Sequence, residues 1–139
     1  VLYRLDGASD YEVGKSALVV PGEVARNGYA LSGVFYSPLL KLLFVNDLVV
    51  HPTTLKALTS LEGVSRVVAE EPGVIYAQRR GADMKEYLVR IDSDTLEVIS
   101  SDYILSTEKM ASYINFDFTN RKYAVSNPAE AEVSVYDLE

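Results

Sequence analysis

The sequence predicts an all-β protein assembled from a repeated four-stranded antiparallel unit. Three observations predict it. Four short segments recur: "LYRLD" at 2–6, "LVVHP" at 48–52, "YLVRID" at 87–92 and "VSVYDL" at 133–138. Aligned on Asp6, Pro52, Asp92 and Asp137, they follow one another at steps of 46, 40 and 45 residues. Between them lie apolar–polar alternations and short apolar runs bounded by Pro, Gly and Asn, which is how strands and their turns read in sequence.

Steps of 40–50 residues are those of β-propeller blades. The grammar inside each step is constant. After the Asp or Pro comes a polar turn, "GASD", "TT" or "SDT", and then a second strand, "YEVGKSALV", "LKALTSL" or "LEVISSDYI". A loop leads to a third strand, "YALSGVFYS" at 29–37, "VSRVVAEE" at 64–71 or "ASYINFDFT" at 111–119. Pro38, Pro72-Gly73 or Asn120 then turns the chain into a fourth: "KLLFVND" at 41–47, "VIYAQRR" at 74–80 or "KYAVSN" at 122–127. "PTTLKALTSLEG" also fits a short amphipathic helix, with Leu55, Leu58 and Leu61 on one face and Gly63 as its stop. Its counterpart "SDTLEVISSDYI" alternates and is richer in β-branched residues, so the repeat favours strand at both places. "LSTEKMASY" at 105–113 has room for a helical turn in a connection.

Composition narrows the function classes. At 139 residues and 48% hydrophobic, the chain is about one domain long and can bury a core. A net charge of −7 argues against a phosphate backbone or an anionic membrane as partner. No apolar run reaches the roughly 20 residues of a membrane-spanning helix. The absence of cysteine removes disulfides, thiolate zinc sites and a cysteine nucleophile, while leaving the compartment open. Ten Tyr with no Trp suits half-buried strands, where the ring packs and the hydroxyl reaches water. The first residue is Val, and no signal-peptide pattern is present, which reads as a mature segment or an excised piece.

"KYAVSNPAEAEVSVYDLE" at 122–139 resembles the YVTN-type β-propeller repeat, in which a Tyr-Val-Thr-Asn-like strand enters a hairpin and returns as a Val-x-Val-Ile-Asp-like strand. "KLLFVND" with "LVVHPTTLKAL" is similar to it with a shortened hairpin, and "VIYAQRRGADMKEYLVRIDSDTLEV" with a lengthened one. Gln78-Arg79 departs from the Thr-Asn pair and Pro52 from the Asp. The resemblance implies about three four-stranded antiparallel blades: a partial one at 1–19, two at 29–61 and 64–104, and a partial one at 111–139. Such a propeller is open or is completed by other segments, because cut blades expose strand edges and apolar faces. A homo- or hetero-oligomer, or one part of a longer polypeptide, is then expected. Leu88, Ile91, Tyr123, Val125, Val133 and Val135 are expected to be buried between blades.

Catalytic chemistry is thin. His51, the only histidine, has no neighbours at ligand spacing and sits beside Pro52, which reads as a turn. There is no G-x-S-x-G elbow, and neither "PGEVARNG" nor "RRGADMKE" is a phosphate loop. Glu70-Glu71 and "DSDT" at 92–95 are weak calcium patterns, and the second reads better as a solvated turn. No cofactor is implied. Basic residues are more telling in an acidic chain. With the strand order above, Arg26, Arg66, Arg79, Arg80 and Lys109 fall on or near the channel-mouth face, with Tyr113 close by. Guanidinium groups beside aromatics suit a carboxylate, a sugar acid or an acidic protein loop, although ordinary surface pairing with Glu70, Asp83 or Glu86 is the plainer reading. The expected function is a non-catalytic platform for a protein partner or small acidic ligand. The resemblance implies an extracellular or periplasmic location. Two alternatives stand beside it: part of a propeller enzyme (an oxidoreductase subunit or lactonase-like hydrolase) with catalytic groups in other blades, or a self-associating structural subunit.

Overall fold

A computed structural model describes residues 2–5, 13–18, 33–83, 85–106, 113–127 and 131–138. Among these residues there are thirteen strands and no helix, hence no helix long and apolar enough to cross a membrane. All the sheets are antiparallel, and strands pair in chain order. Sheet 1 pairs β1 (Leu2–Leu5) with β2 (Val13–Leu18). Sheet 2 runs β3 (Val34–Ser37), β4 (Leu42–Val45), β5 (Leu48–Val50) and β6 (Ala57–Ser60). Sheet 3 runs β7 (Arg66–Glu71), β8 (Val74–Arg80), β9 (Lys85–Asp92) and β10 (Val98–Ser106). Sheet 4 has β11 (Tyr113–Asp117), β12 (Lys122–Asn127) and β13 (Glu132–Asp137). The stretch with helical periodicity becomes a turn at 52–54 and strand β6. Of 105–113, the first two residues close β10, Tyr113 opens β11, and the rest lie outside the described residues.

The turns repeat at the level of single hydrogen bonds. In the β5–β6 turn, His51 Nδ1 accepts the amides of Thr53 (3.1 Å) and Thr54 (3.2 Å). In the β9–β10 turn, Asp92 Oδ1 accepts those of Asp94 (2.8 Å) and Thr95 (2.9 Å). Leu55 N and Leu96 N each bond 2.8 Å to the carbonyl four residues back, and both leucines are left-handed, at φ 58° and 61°. His51 is therefore a turn cap, an imidazole doing the work of an aspartate. The β3–β4 and β11–β12 turns match in the same way. Ser37 Oγ caps Leu40 N at 3.0 Å, and Asp117 Oδ1 caps Asn120 N at 3.1 Å.

Sheets 2, 3 and 4 bury apolar faces against one another in sequence. The leading face of sheet 2 (Phe44, Val49, with Phe35) meets the trailing face of sheet 3 (Val67, Ile75, Ala77, Val89, Ile91). The leading face of sheet 3 (Ala69, Tyr76, Leu88) meets the trailing face of sheet 4 (Tyr123, Val125, with Ile114, Phe116 and Tyr136). At that seam the Tyr76 ring lies 5.2 Å from Phe116 and 5.7 Å from Phe118. Val45, Val50 and Leu55 form a third cluster on the trailing face of sheet 2. Both faces of sheet 3 are thus occupied, as period-two strands with two apolar rows require.

Leu88, Ile91, Tyr123 and Val125 are buried as expected, but Val133 and Val135 are not, at 70% and 66% exposure. The register explains the difference. Val133 pairs with Ser126 and Val135 with Ala124, so both stand on the leading face of sheet 4, away from sheet 3. Tyr136 and Leu138 take the inward positions instead.

Polar ties close the seams at the β7–β8 turn. Ser37 Oγ donates to Glu70, which points back to sheet 2. Glu71, the next residue, points forward to sheet 4, accepting from Tyr76 Oη of its own sheet and from Arg121 Nη1 in the β11–β12 turn. Adjacent carboxylates that face opposite sides of a strand cannot chelate one ion together. Burial pushes the Glu71 carboxyl up, but the Tyr76 and Arg121 hydrogen bonds outweigh it and hold the group below its ordinary value. The Tyr76 phenol is pushed up, first by burial and then by Glu71.

Candidate functional site

At the opposite end of the stack lie the start of β7, the end of β8 and the start of β9. Arg66 pairs with Gln78 and Arg80 with Glu86, so these four side chains share the leading face of sheet 3. Arg66 Nε donates to Gln78 Oε1 at 2.9 Å, and Gln78 Nε2 donates to Glu86 Oε2 at 3.3 Å. Arg80 Nε lies 3.3 Å from Glu86 Oε1, within ion-pair range though not aligned as a hydrogen bond. Glu86 is 4% exposed. A carboxylate so buried is tolerated because an Arg and an amide surround it.

Arg66 continues across the seam. Its guanidinium carbon is 6.0 Å from the ring centre of Tyr113, the first residue of β11 in sheet 4, within cation–π reach. Tyr113 is 67% exposed, so this ring offers one side to Arg66 while most of it meets solvent. On the other flank Gly33 makes room. A Cβ there would stand 2.7 Å from Arg66 Cβ, so only glycine lets sheet 2 approach this closely.

Of the residues singled out in sequence, the fold brings Arg66, Arg80 and Tyr113 to one place. Arg79 goes elsewhere. As the neighbour of Arg80 in a strand, it faces the other side, donating to Ser101 Oγ at 2.9 Å with its guanidinium 5.7 Å from the Tyr87 ring. Arg26 and Lys109 lie outside the described residues. Gln78 was missed, although a Gln inside the apolar run "VIYAQRR" is a signal that one buried polar partner is needed, whereas Glu86 pairs with Arg80 as the plainer reading expects, but buried rather than on the surface.

Among the described residues, no three His or carboxylate side chains converge as a metal site needs. The arrangement instead holds a guanidinium fork and an aromatic ring at fixed separation. That pair can recognise a carboxylate, and it does not by itself supply a nucleophile or a general base. No family model, curated protein or solved structure matches this chain.

Proposed function

We propose that the chain is a YVTN-type β-propeller segment that serves as a binding platform outside the cytoplasm, and that it captures acidic groups at the Arg66–Tyr113 seam. The reading draws support from the consecutive four-stranded meanders stacked face to face. It rests above all on one observation: Arg66 comes from sheet 3 and Tyr113 from sheet 4, so the cation and the ring meet only when the sheets are stacked. On this reading the network of Gln78, Glu86 and Arg80 is a support that sets the position of Arg66. The ligand is a carboxylate-bearing small molecule or an acidic loop of a partner protein.

The test is calorimetric titration of the 139-residue chain with a Glu-rich peptide and with a Gln-rich peptide of the same length. Binding of the acidic peptide alone is expected, weakening as salt rises. Arg66→Ala or Tyr113→Ala should lower that affinity at least about tenfold, while Arg79→Ala, on the other face, leaves it unchanged. Equal binding of the two peptides, or equal loss with Arg79→Ala, overturns the assignment.

A further inference from the structure

The leading face of sheet 4 is built differently from those of the two sheets before it. The pairs Ser37–Leu42, Glu71–Val74 and Asp117–Lys122 each close the turn between a sheet's first two strands, which fixes the correspondence. Asn115 then stands where Phe35 and Ala69 do, Lys122 where Leu42 and Val74 do, and Ala124 where Phe44 and Tyr76 do. The six earlier residues all pack against the next sheet. At Ala124 the loss of a large ring leaves instead a hollow of about 240 Å³, lined by Asn115, Asp117, Lys122, Ala124 and Val135 among others. Val135 beside it is 66% exposed, so the hollow opens to solvent.

Size and charge define what fits there. Pockets that enclose a drug-sized ligand run to roughly 300–1,000 Å³, so this one admits a single side chain. A further apolar sheet packed on this face would bury Asp117 and Lys122 without polar partners, which is costly. The Lys122 ammonium is already countered by Asp137. Asp117 is not so matched. Its Oδ1 accepts Asn120 N at 3.1 Å and its Oδ2 accepts Asn120 Nδ2 at 2.8 Å, both neutral donors. These bonds hold the carboxyl below its ordinary value, so it stays ionised, and no cation is among its partners in the described residues. Each oxygen keeps a lone pair, and the exposed Asn115 amide offers one more acceptor on the same face.

We infer that the hollow receives an arginine side chain from a partner protein, its stem over Ala124 and Val135 and its guanidinium on Asp117. The planar fork matches the two carboxylate oxygens, and the methylene stem covers apolar surface. Asp117 and Asp137 outnumber Lys122 on this face, and the chain's net charge of −7 adds to the attraction for a basic loop. Tyr113 and Val133, on the same face and 67% and 70% exposed, give that loop apolar surface to cover around its anchor. The hollow is distinct from the Arg66–Tyr113 seam, because Asp117 ends the strand that Tyr113 begins.

The test is calorimetric titration of the 139-residue chain with a peptide carrying Arg among apolar and neutral residues. The same peptide with citrulline, the uncharged isostere, is the control. Neither peptide has a carboxylate side chain to engage Arg66. The Arg peptide alone should bind. Asp117→Asn removes the charge but keeps a side chain able to cap the turn, and should lower the affinity at least about tenfold. Ala124→Leu, which fills the hollow and leaves the charge, should do the same, with thermal melts to check that both variants are folded. Asp94→Asn, an exposed carboxylate in the β9–β10 turn, should leave binding unchanged. Should Ala124→Leu unfold, Asp117→Asn against Asp94→Asn decides alone. No binding of the Arg peptide, equal binding of the citrulline peptide, or equal losses with Asp117→Asn and Asp94→Asn overturns the inference. So does full affinity in either folded hollow variant.

Discussion

Strands β9 and β13 hold the same place in successive sheets and read alike, "YLVRID" against "VSVYDL", yet they meet different surroundings. In β9, Leu88 packs toward sheet 4, and Val89 and Ile91 pack toward sheet 2. In β13, Tyr136 packs toward sheet 3, while Val133 and Val135 face away from it and are exposed. Alternation along a strand establishes that there are two faces. Whether both are covered depends on how many sheets stand beside it, and identical sequence patterns can differ wholly in what they contribute to stability.

The largest expected effect tests that difference directly. Ile91→Ala should cost about 2–4 kcal/mol in chemical denaturation, from lost burial plus the cavity left behind. Val135→Ala, in dilute solution, should change stability by about 0.5 kcal/mol or less. Comparable losses at both would mean that β13 is covered as β9 is.

A smaller effect concerns the seam that joins the two sheets. Glu71 titrates below its ordinary value in the folded state, so it contributes stability above that value, and the contribution is lost as pH falls through the folded pKa. Asp92, held down by the Thr95 and Asp94 amides, and Asp117, held down by Asn120, act in the same direction. Tyr76 is raised, so its contribution is complete below its ordinary value of 10.0 and fades as pH rises through the folded pKa. Stability should therefore be greatest between the carboxylate and phenol ranges. Glu71→Gln should lower it by about 1–2 kcal/mol near neutrality and flatten the acid limb of the melting-temperature profile. An acid limb unchanged by this substitution would remove Glu71 from the seam.

The smallest effect carries the comparison to the turns. His51→Asp, which installs the side chain found at Asp92, should be neutral within about 0.5 kcal/mol, whereas His51→Ala should cost about 1 kcal/mol, as loss of a backbone cap does. Thermal melts of the pair check it. Equal losses would mean that the two turns are held differently.

The all-β, antiparallel character was legible because β-branched alternation and Pro, Gly and Asn punctuation agree along the chain. The strand "YLVRID" carries its pattern openly. The Leu triplet at 55–61 was ambiguous because three-residue spacing fits a helix as well as a turn followed by a short strand. Exposure of Val133 and Val135 was illegible, because it depends on a neighbouring sheet rather than on the strand. At the site, clustering of Arg66, Arg80 and Tyr113 could be anticipated from strand order. Arg79 could have been set apart by the same logic, since consecutive strand residues face opposite ways. Glu86 was named as a pairing partner, but its burial escaped because "MKEYLV" gives no sign that this carboxylate will be enclosed beside Arg80.

The left-handed leucines of the two outer turns bear on the order of folding. A leucine at positive φ costs about 1–2 kcal/mol, a penalty that glycine avoids. Leu55 recovers it by burial with Val45 and Val50, and Leu96 by packing on the cluster between sheets 2 and 3. Burying such a side chain is worth about 1.5–3 kcal/mol, but only after the surface it enters has formed. These hairpins are thus poor nuclei: their turns are unfavourable alone and become favourable once the stack exists. The expected order is therefore sheet packing first and closure of β6 and β10 second, which φ-values near zero at Leu55 and Leu96 would record.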